Sequence, residues 1–211
     1  MTRYPMIVGV SAALVLAALP SLANAASGQD PDWPCIQRKV PQLSLGQVWT
    51  GPELPEEAKD WAQDEDIAEL VKEIAARRVP LEEAQQEIED FAAALPPDQA
   101  APRLLMLVQG LFDHMDAERS HVISGIARYA HRQTEIAADL RREASAVDAL
   151  RTKADANPNE VAVRTERLTF STRIFEERVQ SLTFVCEVPT LIEQRLYQLT
   201  KTVAGLLPKQ E

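Results

Sequence analysis

The strongest constraint on this chain is a seven-residue spacing of apolar side chains through its last third. Such a heptad repeat places the side chains on one face of an α-helix, and that face must pack against a second helix. One member of the repeat is Pro189. Because proline lacks an amide N–H, it either kinks the helix or ends it and begins another. The repeat consists of Val161, Leu168, Phe175, Leu182, Pro189, Leu196 and Val203.

The partner helix is expected directly before the repeat, between residues 100 and 154. No proline follows Pro102 in this stretch, and its apolar residues alternate at spacings of three and four, the seam of a coiled coil. A polar turn near residue 156 makes the two helices antiparallel. The register of the two helices then predicts that Cys186 faces the partner helix near Arg128.

These patterns predict an all-α fold, an extended helical bundle built on a long, coiled-coil-like antiparallel helical hairpin. Gly is scarce, at 7 residues, and β-branched runs that favour a sheet are missing beyond the N-terminal segment. Pro80 fits the first position of a helix, and the acidic run from Asp64 can mark a break. Gly110 and Gly125 indicate either a hinge or close helix packing. The helical domain is expected over 55–211, with helices at about 56–78, 80–95, 100–154, 159–187 and 190–206.

The N-terminal segment, residues 1–25, has the pattern of an export signal. Arg3 is followed by an uncharged apolar run that is too short to span a bilayer, then by Pro20 and an Ala-Asn-Ala motif ending at Ala25. We expect cleavage after Ala25, the alternative being an uncleaved anchor. This signal indicates the periplasm if the source is Gram-negative, and secretion otherwise. No later stretch has 18 apolar residues, so no membrane span is expected in the mature chain.

A proline-rich strap is expected over residues 26–54. Its prolines are too frequent for a continuous helix, yet it is too apolar for a free linker. A strap that lies across the helical body satisfies both observations, whereas a peptide-like binding surface is the alternative. Ser44 and Gln47 fit a capping box that begins one short helical turn before Trp49.

The chain has two cysteines, Cys35 and Cys186. In an oxidising compartment an even count indicates a disulfide, and this pair lacks the close spacing of a redox motif or a c-type haem site. An intramolecular bond is therefore expected, with pairing between two chains as the alternative. Closing a loop of about 150 residues allows roughly 5 kcal/mol of stabilisation.

No catalytic motif or phosphate-binding loop is present, and no cofactor is expected. The one candidate metal site is formed by His114, Glu118 and His121, which share a helix face at spacings suited to a metal. A four-helix di-iron site needs a second Glu-x-x-His, and none exists. A weak mononuclear site is the functional interpretation; the polar face of a long helix is the structural one, which we favour.

The formal net charge is -10, which disfavours nucleic acid and anionic lipid as partners because both attract clustered Lys and Arg. The long helical hairpin and the missing catalytic signature predict a non-enzymatic interaction or scaffold protein, an accessory or adaptor of an envelope complex, with a protein partner or a homo-oligomer. One alternative is a periplasmic client- or ligand-binding protein whose groove is lined by Trp33, Trp49 or Trp61. The other is weak metal binding at the His/Glu/His cluster.

Overall fold

A computed structural model describes residues 33–208, and every regular element within that range is helical. The expected all-α fold is therefore confirmed. The segment 1–25, interpreted as an export signal, and the first residues of the strap lie outside the described range. The elements are α1 (Leu45–Val48), a 3-10 helix (Glu56–Gln63), α2 (Glu65–Ala75), α3 (Leu81–Ala94), α4 (Pro97–Arg151), α5 (Pro158–Val185) and α6 (Val188–Leu206).

The helix expected over 56–78 is divided at Asp64. Its carboxylate accepts a hydrogen bond from the Ile67 backbone N–H at 3.2 Å and caps the start of α2. The segment before Asp64 is a 3-10 helix, and α2 already ends at Ala75. The acidic run thus marks the break because its first carboxylate supplies a cap.

One end of the molecule, which we call the base, comprises residues 33–126 and 186–208. Here α2, α3, the first part of α4 and α6 surround a single hydrophobic core. Many of its side chains are fully inaccessible to solvent, as expected where several helices bury their apolar faces together. They include Ile67, Val71, Ile74, Ile88, Leu107, Leu111, Ile192, Leu196 and Val203.

Gly110 lies where α4 meets the 3-10 helix and α2. A Cβ at this position would come within 2.8 Å of a methyl group of Val71 and 2.9 Å of the Trp61 ring. The absence of a side chain therefore allows the close approach, which supports the packing interpretation over the hinge. At Gly125 the only atom near a built Cβ is the end of the Arg128 side chain, at 4.0 Å.

The other end, which we call the arm, comprises residues 127–185. Near its tip, Arg151 donates to the Thr165 hydroxyl at 2.9 Å, and farther from it Arg164 makes two hydrogen bonds of 3.0 Å with Glu143. These contacts show that α4 and α5 lie side by side and run in opposite directions. Coiled-coil geometry between them stays a prediction.

The junction between α5 and α6 shows the effect of Pro189. α5 ends at Val185, and Pro189 lies in the first turn of α6. A proline inside a continuous helix would leave the carbonyl four residues earlier, that of Val185, without its partner. Of the two expected outcomes, ending one helix and beginning another is therefore the one observed. Cys186 and Glu187 between the helices keep right-handed helical backbone angles.

The disulfide between Cys35 and Cys186 is present and confirms the expected pairing. The two cysteines form a small second core with Ile126 and Leu182. Cys186 thus faces α4 at Ile126, two residues from the expected Arg128. The bond joins the strap to the junction of α5 and α6, where the base meets the arm.

The strap crosses α4 and α6 and is held by hydrogen bonds as well as by the disulfide. The Leu43 backbone N–H donates to Asp116 at 3.2 Å, and the Thr200 hydroxyl donates to the Val48 carbonyl at 2.6 Å. Helix α1 forms where the capping box was expected, and the Ser44 N–H donates to the Gln47 side chain at 2.7 Å. The described part of the strap therefore packs on the helical body.

Candidate interaction surface

The three candidate metal ligands lie on α4, but the structure gives one of them another partner. Glu118 forms an ion pair with Arg77 at 3.3 Å, while His114 is half-buried and His121 is exposed. Within residues 33–208, no group of three or more His, Cys, Asp or Glu side chains is placed to hold a metal ion. Glu118 is therefore engaged with Arg77, and weak metal binding at His114, Glu118 and His121 stays a prediction.

The three tryptophans each donate an indole hydrogen bond to a different partner. Trp49 is buried and donates its indole N–H to the Pro52 carbonyl at 2.7 Å. Trp61 donates to Asp113 at 3.0 Å, and Trp33 donates to the Gln37 carbonyl at 2.7 Å. Each indole thus anchors part of the strap or the 3-10 helix, and a ligand groove beside any of them stays a prediction.

Arg119 is a buried residue that the sequence did not single out. Its side chain is 4% exposed and donates to the Val40 carbonyl at 2.8 Å; a further guanidinium nitrogen lies 3.8 Å from Glu193. It therefore joins the strap to α4 and α6. From the sequence alone, a long charged side chain on a helix is expected to face solvent. Only the three-dimensional contacts show that Arg119 joins the strap to the helices.

Two carboxyl groups of the base have shifted pKa values. Burial opposes ionisation of Asp64, but hydrogen bonds from Arg103 and from the Ile67 N–H outweigh burial and hold the pKa of Asp64 below its ordinary value. Burial raises the pKa of Glu87, and the charges of Glu73 and Glu83 raise it further. One oxygen of Glu87 is buried without a hydrogen-bond partner. Both groups lie among the packed helices of the base, Asp64 paired with Arg103 and Glu87 between acidic neighbours.

The arm, in contrast, leaves apolar surface in contact with solvent. Two open grooves lie between α4 and α5, of about 410 Å³ and 520 Å³. The first is lined by Gly125, Tyr129 and Val185 among others, and it is roomy because Gly125 has no side chain. Most of the large hydrophobic residues that are exposed lie on the arm: Tyr129, Val163, Phe170, Val179, Phe184 and Val185.

The two ends also differ in charge. The arm carries ten Lys and Arg against nine Asp and Glu, and nine of the ten are Arg. The base carries ten Lys and Arg against twenty Asp and Glu. The acidic balance of the chain therefore belongs to the base, while the arm is close to neutral and rich in guanidinium groups, which suit protein contacts.

Comparison of this chain with family models, with curated proteins and with solved structures finds no match. Among residues 33–208, no helix combines the length and apolar character that crossing a membrane requires. The disulfide is compatible with an exported protein.

Proposed function

We propose that this chain is an exported, non-enzymatic interaction or scaffold protein that acts as an accessory or adaptor of an envelope complex. In this proposal the base is the folded anchor, and the arm is a coiled-coil-like hairpin that contacts a protein partner. The observation that carries it is the unequal exposure of apolar side chains. The arm holds Phe170 at 59% exposure and Phe184 at 75%, whereas the core of the base is closed.

The exposed side chains of the arm favour a protein as the partner. Exposed aromatic side chains bordered by arginine are typical of the residues that contribute most to protein–protein binding. On α5, the Arg173 guanidinium lies 5.7 Å from the Phe170 ring and 3.6 Å from Glu177. Nucleic acid and anionic membranes are disfavoured, since the arm is close to neutral and the base is acidic.

The test is site-specific photo-crosslinking in cells that carry the native envelope. A photoreactive residue replaces Tyr129, which is exposed on the α4 side of the arm, and a matched one replaces Ala93, which is exposed on α3 of the base. We expect one additional protein to be captured at a fixed ratio from position 129 but not from position 93. No adduct with another protein from either position would overturn the proposal, and many unrelated adducts would favour client binding instead.

Ligand binding remains a second candidate because of one specific observation. The groove of about 410 Å³ beside Tyr129 and Ser181 is apolar, with two hydroxyl groups at its edge. It supports binding of a small apolar molecule by the arm rather than by the tryptophans. Replacing Gly125 with Leu would fill the groove, so a ligand bound there should lose affinity while the fold is retained.

A further inference from the structure

Helix α5 carries a second row of apolar side chains on the face opposite its contact with α4. Val163 and Phe170 each follow a member of the heptad repeat by two positions, a rotation of about 200° around the helix. Val163 is 48% exposed, and Leu191, beyond the junction, is 50% exposed. We call this row the outer stripe; it consists of Val163, Phe170, Ile174, Phe184, Val188 and Leu191. Two of its members, Ile174 and Val188, are half-buried, and Val188 also packs against the core of the base.

The outer stripe continues across the junction between α5 and α6. Cys186 has φ -61° and ψ -23°, and Glu187 has φ -82° and ψ -21°, so the chain keeps turning as a helix. The spacings of four and three that join Phe184 to Val188 and Leu191 therefore keep these residues close to one face.

The central part of the outer stripe, from Phe170 to Val188, is symmetric about a point near residue 179, whereas the outer members Val163 and Leu191 have no apolar counterpart. Within this central part, apolar positions lie at matching distances on both sides, and two polar positions occupy the middle. The matched positions are Phe170 with Val188, Ile174 with Phe184, and Glu177 with Ser181. A surface that reads the same in both directions is self-complementary across a two-fold axis, which is the requirement for an isologous dimer.

Charge favours the antiparallel arrangement of two such helices. A parallel pair would place two bases side by side, each with twenty acidic and ten basic residues. An antiparallel pair instead places the arginine-rich arm of each copy beside the acidic base of the other. Among residues 33–208, neither Arg167 nor Glu187 has an ion-pair partner, and this pairing brings Arg167 of one copy within about one helical turn of Glu187 of the other.

We propose that the outer stripe binds a second copy of this chain, antiparallel and with the two-fold axis near residue 179. The inference deepens the proposed function, on which it rests, by assigning a homodimer to the arm. Phe170 of each copy packs against the Phe184–Val188 end of the other, and the central Glu177 and Ser181 fix the register. The opposite face of α5 remains on α4.

The first test is sedimentation equilibrium of the purified chain with its disulfide intact. We expect a dimer, and the double variant Phe170→Glu and Phe184→Glu should weaken self-association at least tenfold, since it places four carboxylates in the seam. Both residues are exposed, so the helical circular dichroism spectrum should be unchanged. Ala93→Glu, an exposed position on α3 away from the stripe, should dimerise normally. A monomeric wild type, or a dimer that is insensitive to the double variant, would refute the proposal.

The second test reports the orientation. In an antiparallel dimer, Ser181→Cys lies beside its own copy near the axis and should form an intermolecular disulfide. Val163→Cys should not, because the two copies of that position lie roughly 48 Å apart along the helices. Crosslinking at both positions would indicate a parallel pair and would overturn the inference.

The two proposals fail in different experiments. A monomeric purified chain that captures another envelope protein from position 129 would refute the homodimer and leave the adaptor role intact. A chain that dimerises through the outer stripe but captures only itself in cells would support the homodimer and refute the adaptor role.

Discussion

The base and the arm are built from the same helices but are held together differently. α4 passes through both, and α5 continues almost directly into α6. In α6 the heptad positions Leu196 and Val203 are fully buried, whereas in the whole of α5 only Leu182 is buried. A regular heptad thus predicts which face of a helix is buried, whereas the number of neighbouring helices decides how completely that face is buried.

The largest expected effect on stability comes from the disulfide, which lies where the base meets the arm. Replacing Cys35 and Cys186 with Ser should lower the free energy of unfolding by up to about 5 kcal/mol. Hydrogen exchange should then rise in the strap and around Leu182, with a smaller change in α2. Denaturant titration and exchange mass spectrometry measure these effects. An unchanged free energy of unfolding would mean that hydrogen bonds alone hold the strap.

Two members of the same heptad provide a direct comparison of the ends. Leu196→Ala in the base should destabilise the protein by about 2–5 kcal/mol because it leaves a cavity in a closed core. Leu168→Ala in the arm should cost about 1 kcal/mol, since Leu168 is already half-exposed. Urea titration of both variants checks the difference. Equal losses would contradict the distinction between base and arm.

The two glycines of α4 should respond in opposite directions. Gly110→Ala should destabilise the base by about 1–3 kcal/mol, because its Cβ would collide with Val71 and Trp61. Gly125→Ala has space for its Cβ and should stabilise the helix by about 0.5–1 kcal/mol. Thermal unfolding of the pair gives the sign of each change. Stabilisation by both substitutions would argue against the close contact at Gly110.

The smallest effect concerns a carboxyl group in the base. The pKa of Glu87 is raised by burial and by the acidic side chains near it, so the ionised form destabilises the fold at neutral pH. Glu87→Gln should therefore add about 0.5 kcal/mol to the free energy of unfolding at pH 7.

The difference between Glu87→Gln and the wild type should shrink as pH falls through the folded-state pKa toward the unfolded value near 4.3. Unfolding measured from pH 4 to pH 8 checks this, with the exposed Glu89→Gln as control. A gain that does not depend on pH would point to a cause other than charge.

Much of the fold could be predicted because local patterns specify it. The heptad, the Ser44 capping box and the cysteine pair each depend on spacing alone. The helix predicted from about residue 100 begins earlier, at Pro97, because proline suits the first turn of a helix. The 3-10 helix depends on contacts with α4 that no local pattern reports.

The candidate surface was harder to predict than the fold. The stronger repeat through Leu168 and Leu182 hides the second row at Phe170 and Phe184, because one sequence cannot show which of two apolar faces is covered. The burial of Arg119 was missed for the related reason that its partners lie far away along the chain. Exposure is a property of the assembled helices, so it enters only with the structure.

The disulfide determines what happens when a protease cleaves the chain between its two cysteines. Cys35 and Cys186 lie 151 positions apart, so most of the polypeptide forms one covalent ring. A protease that cleaves once at the exposed tip of the arm opens the ring but releases nothing, because both fragments remain joined at the bond. Such a nicked molecule would travel as one piece until a reductant reaches it.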